Sequence, residues 1–267
     1  MTVFQAIVLG IVQGLAEFLP VSSSAHLTLA PFFFGWKDPG LAFDVALHFG
    51  TLVALLWYFR VEWIELTVSS LRIVRTRRVE TAHEKRAVFL VVATIPGGIA
   101  GKLLNDYAET TFRSPLLIAC TLSIMGVLLW SVDRWAARVR SIEEMTLRDA
   151  VLIGLAQVCA LIPGVSRSGS TITAGRALNL DRPSAARFSF LMSMPITFAA
   201  VAVKMPEAIR VEGFSTPLLA GVFAAFISSW LAITVLLRFI SRHSFGVFAL
   251  YRVLLAAAVV GTIVARR

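Results

Sequence analysis

Leu9–His26 reads LGIVQGLAEFLPVSSSAH, and Ile153–Ser170 reads IGLAQVCALIPGVSRSGS. Set against each other at an offset of 144, Gly10 meets Gly154, Gln13 meets Gln157, Ala16 meets Ala160, Val21 meets Val165, Ser22 meets Ser166 and Ser24 meets Ser168. Each is an apolar segment halted by proline, Pro20 or Pro163, and followed at once by hydroxyls. A helix facing lipid cannot look like this, because backbone that leaves the helix inside a bilayer must be satisfied by protein or by a wet cavity. A pair of broken segments, one in each half of a chain, points to a binding site between the halves.

The rest of the chain fits a membrane setting. Of its 267 residues, 57% are hydrophobic, and the mean hydropathy is +0.79. Several apolar runs approach the roughly 20 residues that cross a bilayer. The first run does not read as a signal peptide: no basic segment precedes it, and Glu17 and the serines interrupt it. Cys120 and Cys159 offer neither a disulfide framework nor a metal motif. The net charge of +9 fits basic cytoplasmic loops beside anionic lipid. No motif for reading DNA or RNA is present, so no nucleic-acid partner is expected.

Three spans are expected after each broken segment, at about 41–59, 87–104 and 115–133 and at about 186–204, 217–237 and 246–264. A re-entrant segment returns to its own side, and three spans is an odd number, so the second half is inverted relative to the first. The expected fold is all-α: a polytopic integral membrane protein with an inverted-topology repeat, two re-entrant helical hairpins and about six transmembrane helices. The whole chain, 1–267, forms one membrane domain, with repeats at about 1–135 and 145–267.

Loop charge orients it. The segments carrying Arg60, Arg72, Arg75, Arg77, Arg78, Lys85 and Arg86, and then Arg134, Arg138, Arg140 and Arg148, read as cytoplasmic. The loops around Lys102–Arg113 and Lys204–Glu212 read as outside, as do both termini, although Arg266 and Arg267 run against that. Glu109, Glu143 and Glu144 read as solvated loop charges.

Chemistry concentrates at the breaks. Gln13 and Glu17 share a helix face. After Pro20 a new helix can start among Ser22, Ser23 and Ser24, which puts hydroxyls and free N–H groups together as an anion site. His26 follows Ser23 by three. A serine cluster after proline is often only a cap, and a lone histidine only a hydrogen bonder. Glu17 is harder to treat as structural, since a carboxylate at membrane depth costs several kcal/mol unless paired or wetted, about 3 on insertion scales. In the second segment Gly164 and Gly169 allow close backbone approach. Arg167, set among Ser166, Ser168, Ser170 and Thr171, suits phosphate oxygens; its bland role is an ion pair with Glu17. Asp44 and His48 share a face and either line the cavity or satisfy each other. Together these groups suggest phosphoryl transfer or phosphate hydrolysis on a lipid-embedded substrate.

In QGLAEFLPVSSSAH, Gln13–His26, and PGVSRSGST, Pro163–Thr171, the chain closely resembles the bacterial undecaprenyl-diphosphate phosphatase family of the bacitracin-resistance type. The apolar pattern is similar over essentially the full length. The resemblance implies hydrolysis of undecaprenyl diphosphate to undecaprenyl phosphate and inorganic phosphate, which recycles the lipid carrier for peptidoglycan synthesis and gives bacitracin resistance. It implies a multi-pass protein of the bacterial plasma (inner) membrane, with its site facing outward, a polyprenyl diphosphate and membrane lipids as partners, and a divalent cation, Mg²⁺ or Ca²⁺. A homodimer is left open. By position, Glu17, Ser23, His26 and Arg167 would be catalytic. Ser22, Ser24, Ser166, Ser168, Gly169 and Thr171 would bind phosphate, and Gln13 and Glu17 would bind metal. Many family members carry Glu where this chain has Gln13. The competing class is a transporter or flippase of a lipid phosphate or similar anion, because inverted repeats with broken helices are also transporter architecture.

Overall fold

The computed structural model describes residues 1–104 and 114–266. The loop expected outside at Lys102–Arg113 lies, from residue 105 with Glu109, beyond the described residues, as does Arg267. Eleven α-helices run through the described residues: α1 (Val3–Phe18), α2 (Ser23–Phe34), α3 (Leu41–Tyr58), α4 (Arg60–Thr76), α5 (Ala82–Leu103), α6 (Pro115–Trp135), α7 (Leu147–Val158), α8 (Arg167–Ala177), α9 (Arg182–Glu212), α10 (Thr216–Ile240) and α11 (Gly246–Ala265). Five of them, α5, α6, α9, α10 and α11, are long and apolar enough to cross a bilayer. The all-α polytopic reading holds.

Two features depart from the sequence expectations. The segment after the first span is not an open basic loop: α4 turns 82° away from α3 and continues as helix. Its apolar residues are spread around polar ones, so a hydropathy window passes over it, and contacts from elsewhere hold it in place. Arg187 of α9 pairs with its Glu62, and its Arg72 reaches Glu84 of α5 at 3.3 Å. Val61, Ile64, Val68 and Leu71 stay exposed along it. The second departure is at Lys204–Glu212, which belongs to α9 and carries Pro206 within the helix.

The helices pack in an exchanged pattern. Broken helix α1 packs on α10, the second span of the other half, and broken helix α7 packs on α5, the second span of the first half. Likewise α3 lies against α9 and α6 against α11. This is the pattern two inverted halves would make. Small residues permit the closeness. A Cβ at Gly10 would collide with Gly221 O, and one at Gly14 with Ser228 Oγ and with the backbone of Ala225 and Ser229. Gly154 of α7 abuts the backbone of Ala93 in α5 in the same way.

At the end of the bundle away from the breaks, Asp133 of α6 is buried and gathers Arg176 of α8 at 3.0 Å and Arg182 of α9 at 2.7 Å. It also accepts from the N–H of Phe245 at 3.1 Å. One carboxylate thus anchors four chain segments at that end.

Gly14→Val should therefore pry α1 off α10. Thermal unfolding of the purified protein in detergent should show a loss of roughly 1–3 kcal/mol or more, the usual consequence of overpacking a tight contact. An unchanged unfolding temperature would mean that α1 is not held by this contact.

Candidate functional site

The two breaks meet in space, and their backbones show why they can. Helix α1 stops at Phe18, and α2 starts at Ser23 with Ser22 as its N-cap. Helix α7 gives way to a short 3₁₀ turn at Cys159–Leu161, and α8 starts at Arg167 with Ser166 as its N-cap. Ser22 has φ 74° and Ser166 has φ 73°. Positive φ is uncommon for a residue other than glycine and costs of order 1–3 kcal/mol, so its use at both equivalent caps marks a shared device. Each cap hydroxyl accepts from the third residue on, Ser22 from Ala25 N at 3.4 Å and Ser166 from Gly169 N at 3.0 Å.

Cross-links then satisfy the freed backbone. Ser22 Oγ accepts from Gly164 N at 3.0 Å, and Ser168 Oγ donates to Leu19 O at 3.1 Å. Thr121 of α6 donates to Pro163 O at 2.7 Å. Arg252 of α11, fully buried, donates to Pro20 O at 3.0 Å, Gly164 O at 2.5 Å, Val165 O at 3.0 Å and Leu122 O at 3.2 Å. One guanidinium thereby ties both breaks together. Arg252 is not among the site residues expected from the sequence. A lone arginine in the last apolar span was the available signal.

Where the breaks meet, a cavity of about 200 Å³ opens. Its polar wall is Glu17, Ser22, Ser23, Ser24, His48, Gln157, Ser166, Arg167 and Thr197, and Val45, Gly97, Ala160, Leu161, Ile196 and Ala200 supply apolar surface. Glu17 is the centre of the polar wall. It is 7% exposed, and it accepts from Ser23 Oγ at 2.5 Å and from Gln13 Nε2 at 3.0 Å. Arg167 pairs with its other oxygen. Arg167 is itself steered by Thr197 Oγ1 at 2.6 Å and Ser193 O at 3.0 Å, both from α9.

His48 completes this set. Its Nε2 stands 3.3 Å from Glu17 Oε2, and its Nδ1 lies 2.7 Å from Asp44 O. With Nδ1 donating to the carbonyl, Nε2 is left facing the carboxylate. His48 therefore lines the cavity and also bonds the main chain of Asp44. His26 behaves differently. Its Nδ1 faces Ser22 O at 2.7 Å, its Nε2 faces Tyr251 Oη at 2.7 Å, and its ring stacks on Tyr251 at 5.6 Å. It is not among the cavity-lining residues, although it is one helical turn from Ser23.

The expected phosphate binders also divide. Ser22, Ser24 and Ser166 line the cavity. Ser168, Gly169 and Thr171 do not: Ser168 joins the breaks, Gly169 N is the capped group, and Thr171 bonds Ser189 Oγ at 2.6 Å and Arg167 O at 2.7 Å.

The residues present do not fit an ion held by protein alone. Glu17 is the only carboxylate among the described lining residues, and its oxygens already accept from four side chains. Gln13 is fully buried and turns its N–H₂, not its oxygen, to Glu17; the opposite amide orientation would set oxygen against oxygen. Among the described residues no group of three or more His, Cys, Asp or Glu side chains is placed to hold a metal.

Comparison with known proteins agrees over the whole chain. Residues 6–258 match the family described as "Bacitracin resistance protein BacA". An undecaprenyl-diphosphatase of Gemmatimonas aurantiaca is 71% identical over 266 residues, covering all of both chains. One from Moorella thermoacetica is 49% identical over 267 residues, again all of both chains. One from Pelotomaculum thermopropionicum is 48% identical over 268 residues, covering 100% of this chain and 99% of the relative.

Replacing Arg252 with Ala should leave three buried carbonyls at the breaks, Pro20 O, Gly164 O and Val165 O, without this donor. Each orphaned group costs about 1–3 kcal/mol, so the variant should unfold at a markedly lower temperature. Arg252→Lys should recover only part of the loss, since an ammonium lacks the planar fork that reaches both breaks. A fully stable Arg252→Ala protein would remove this residue from the account of the site.

Proposed function

The chain belongs to the bacitracin resistance protein BacA family, and we propose that it is an undecaprenyl-diphosphatase that releases inorganic phosphate from undecaprenyl diphosphate and leaves undecaprenyl phosphate. The reaction returns the lipid carrier to peptidoglycan synthesis and confers bacitracin resistance. The observation that carries this reading is the contact between Ser23 Oγ and Glu17 Oε2 at 2.5 Å in a cavity that also holds Arg167. A hydroxyl against a carboxylate is the pairing of a nucleophile with its base. A binding site for transport needs no such pair.

Ser23 Oγ attacks the terminal phosphorus. Its proton passes to Glu17, the bridging P–O bond breaks, and undecaprenyl phosphate leaves with the bridging oxygen. Water then adds its oxygen to the phosphoserine phosphorus, Glu17 returns its proton to Ser23 Oγ as the P–Oγ bond breaks, and inorganic phosphate leaves with the protons of the water. Arg167 stabilises charge on the transferring phosphoryl group, for which a planar guanidinium is suited. His48 holds Glu17 from the other side, so the carboxylate is fixed before substrate enters. His26 fixes the Ser22 peptide, and with it the turn that presents Ser23. The divalent cation implied by the family, Mg²⁺ above all, would be carried largely by the diphosphate oxygens and water, as Mg²⁺ commonly is; it would neutralise phosphate charge.

The substrate dictates the setting. A polyprenyl chain remains in the bilayer while its diphosphate reaches the polar wall, and the apolar residues at the other side of the cavity suit that division. The loop charges support a site opening toward the outer side of the bacterial plasma membrane.

Phosphate release from a polyprenyl diphosphate by purified protein tests the reading. Wild type should turn over, with release reduced by a chelator. Ser23→Ala and Arg167→Lys should each lower kcat/KM by about 10²-fold or more, the scale for losing one transition-state contact. Ser23→Ala with wild-type turnover would move the attack to water, and unimpaired Arg167→Lys would sink the clamp.

A further inference from the structure

Gln157 stands in the cavity wall with nothing to bond. The residue is 4% exposed and lines the cavity, and neither Nε2 nor Oε1 has a hydrogen-bond partner among the described residues. Buried side-chain amides are ordinarily satisfied, and each exception calls for an explanation. Symmetry sharpens this one. The equivalent residue 144 positions earlier, Gln13, donates to Glu17 four residues on, at 3.0 Å. The position equivalent to Glu17 is Leu161, so Gln157 has the same place in its helix and no acceptor beside it.

The space around the amide is also kept clear. Gly97 of α5 lies so close that a Cβ there would strike Gln157 Nε2. A larger residue at 97 would fill the place that the amide occupies. An unsatisfied buried amide costs about 1–3 kcal/mol, and its terminal torsion is soft. It therefore gains from any strong acceptor that enters the cavity.

We propose that Gln157 is a substrate-binding residue: its amide N–H₂ donates to a phosphate oxygen of the lipid diphosphate. This rests on the phosphatase reading above and extends it. Arg167 is engaged by Glu17, Thr197 and Ser193 on α9, so a group as charged as a diphosphate needs donors beyond it. Gln157 adds one from α7 without adding a charge that would hold the product. Its carbonyl oxygen is left to accept from the hydroxyl of a protonated phosphate or from water.

Stability and substrate affinity should move apart on substitution. A structural amide would make Gln157→Leu unfold more easily. An amide retained for ligand should do the opposite, because removing an unsatisfied buried polar group in favour of an apolar one of similar size is neutral or stabilising. The experiment uses full-length protein in detergent: wild type, Gln157→Leu, Gln157→Glu and Gly97→Ala. Unfolding temperature is read with and without a polyprenyl diphosphate, and phosphate release is read against its concentration. Gln157→Leu should keep or raise the unfolding temperature and raise KM by roughly tenfold to a hundredfold, the worth of a hydrogen bond to a charged group. Gln157→Glu should raise KM further, and Gly97→Ala should act in the same direction as Gln157→Leu. An unchanged KM in Gln157→Leu, or a lower unfolding temperature with KM unchanged, overturns the proposal. If wild type releases no phosphate, the phosphatase reading fails separately; thermal stabilisation of wild type by the lipid diphosphate, absent in Gln157→Leu, would still support the contact.

Discussion

A single buried guanidinium holds the centre of this molecule. Two helices stop inside a bundle that spans a membrane, and each stop frees carbonyls that lipid cannot satisfy. Arg252 takes three of them, Pro20 O from one break and Gly164 O and Val165 O from the other. The other direct ties between the breaks are the bonds of Ser22 to Gly164 and Ser168 to Leu19 and the pairing of Arg167 with Glu17. The planar fork is what makes one side chain sufficient: its donors point in fixed, divergent directions. The active cavity exists because the ends of α1 and α7 are held facing each other, and Arg252 lies behind both of them.

In front of them the charge is arranged for an anion. Glu17 is flanked by Arg167 and by the imidazole of His48, and Gln13 donates to it as well. Breaking a buried pair usually leaves an uncompensated charge at a cost of about 3–5 kcal/mol. With His48 and Gln13 also beside it, Glu17 keeps partners if an anion draws Arg167 away.

Sequence alone carried the all-α polytopic architecture and named six of the residues that line the cavity, Glu17, Ser22, Ser23, Ser24, Ser166 and Arg167. Proline followed by serine within an apolar run announces a broken helix, and Glu17 and Arg167 announce themselves by being charged at membrane depth. Other features depend on which way a side chain points, which no spacing rule determines. His26 is one turn from Ser23, yet Ser22 O and Tyr251 of a distant helix turn it away from the cavity. His48 reads equally well as a partner for Asp44 until α3 is placed beside α1. Helix α4 was hidden because its charges read as a cytoplasmic loop, whereas ion pairs to α5 and α9 order it as helix. Gln157 looks identical to Gln13 in the alignment; only the absence of an acceptor at Leu161 separates them.

That last contrast shows how two similar halves make one asymmetric site. At the offset of 144, Ser23 falls on Arg167, and each is the first residue of the helix that follows its cap. The same backbone device, a serine at positive φ, therefore presents a hydroxyl from one half and a guanidinium from the other. Both reach the same carboxylate, Glu17. A second carboxylate at Leu161 would add another buried negative charge to the same cavity wall. The paired turns arise where the two segments agree, and the asymmetry arises where they differ: carboxylate against leucine at Glu17 and Leu161, hydroxyl against guanidinium at Ser23 and Arg167, and a bonded against an unbonded amide at Gln13 and Gln157.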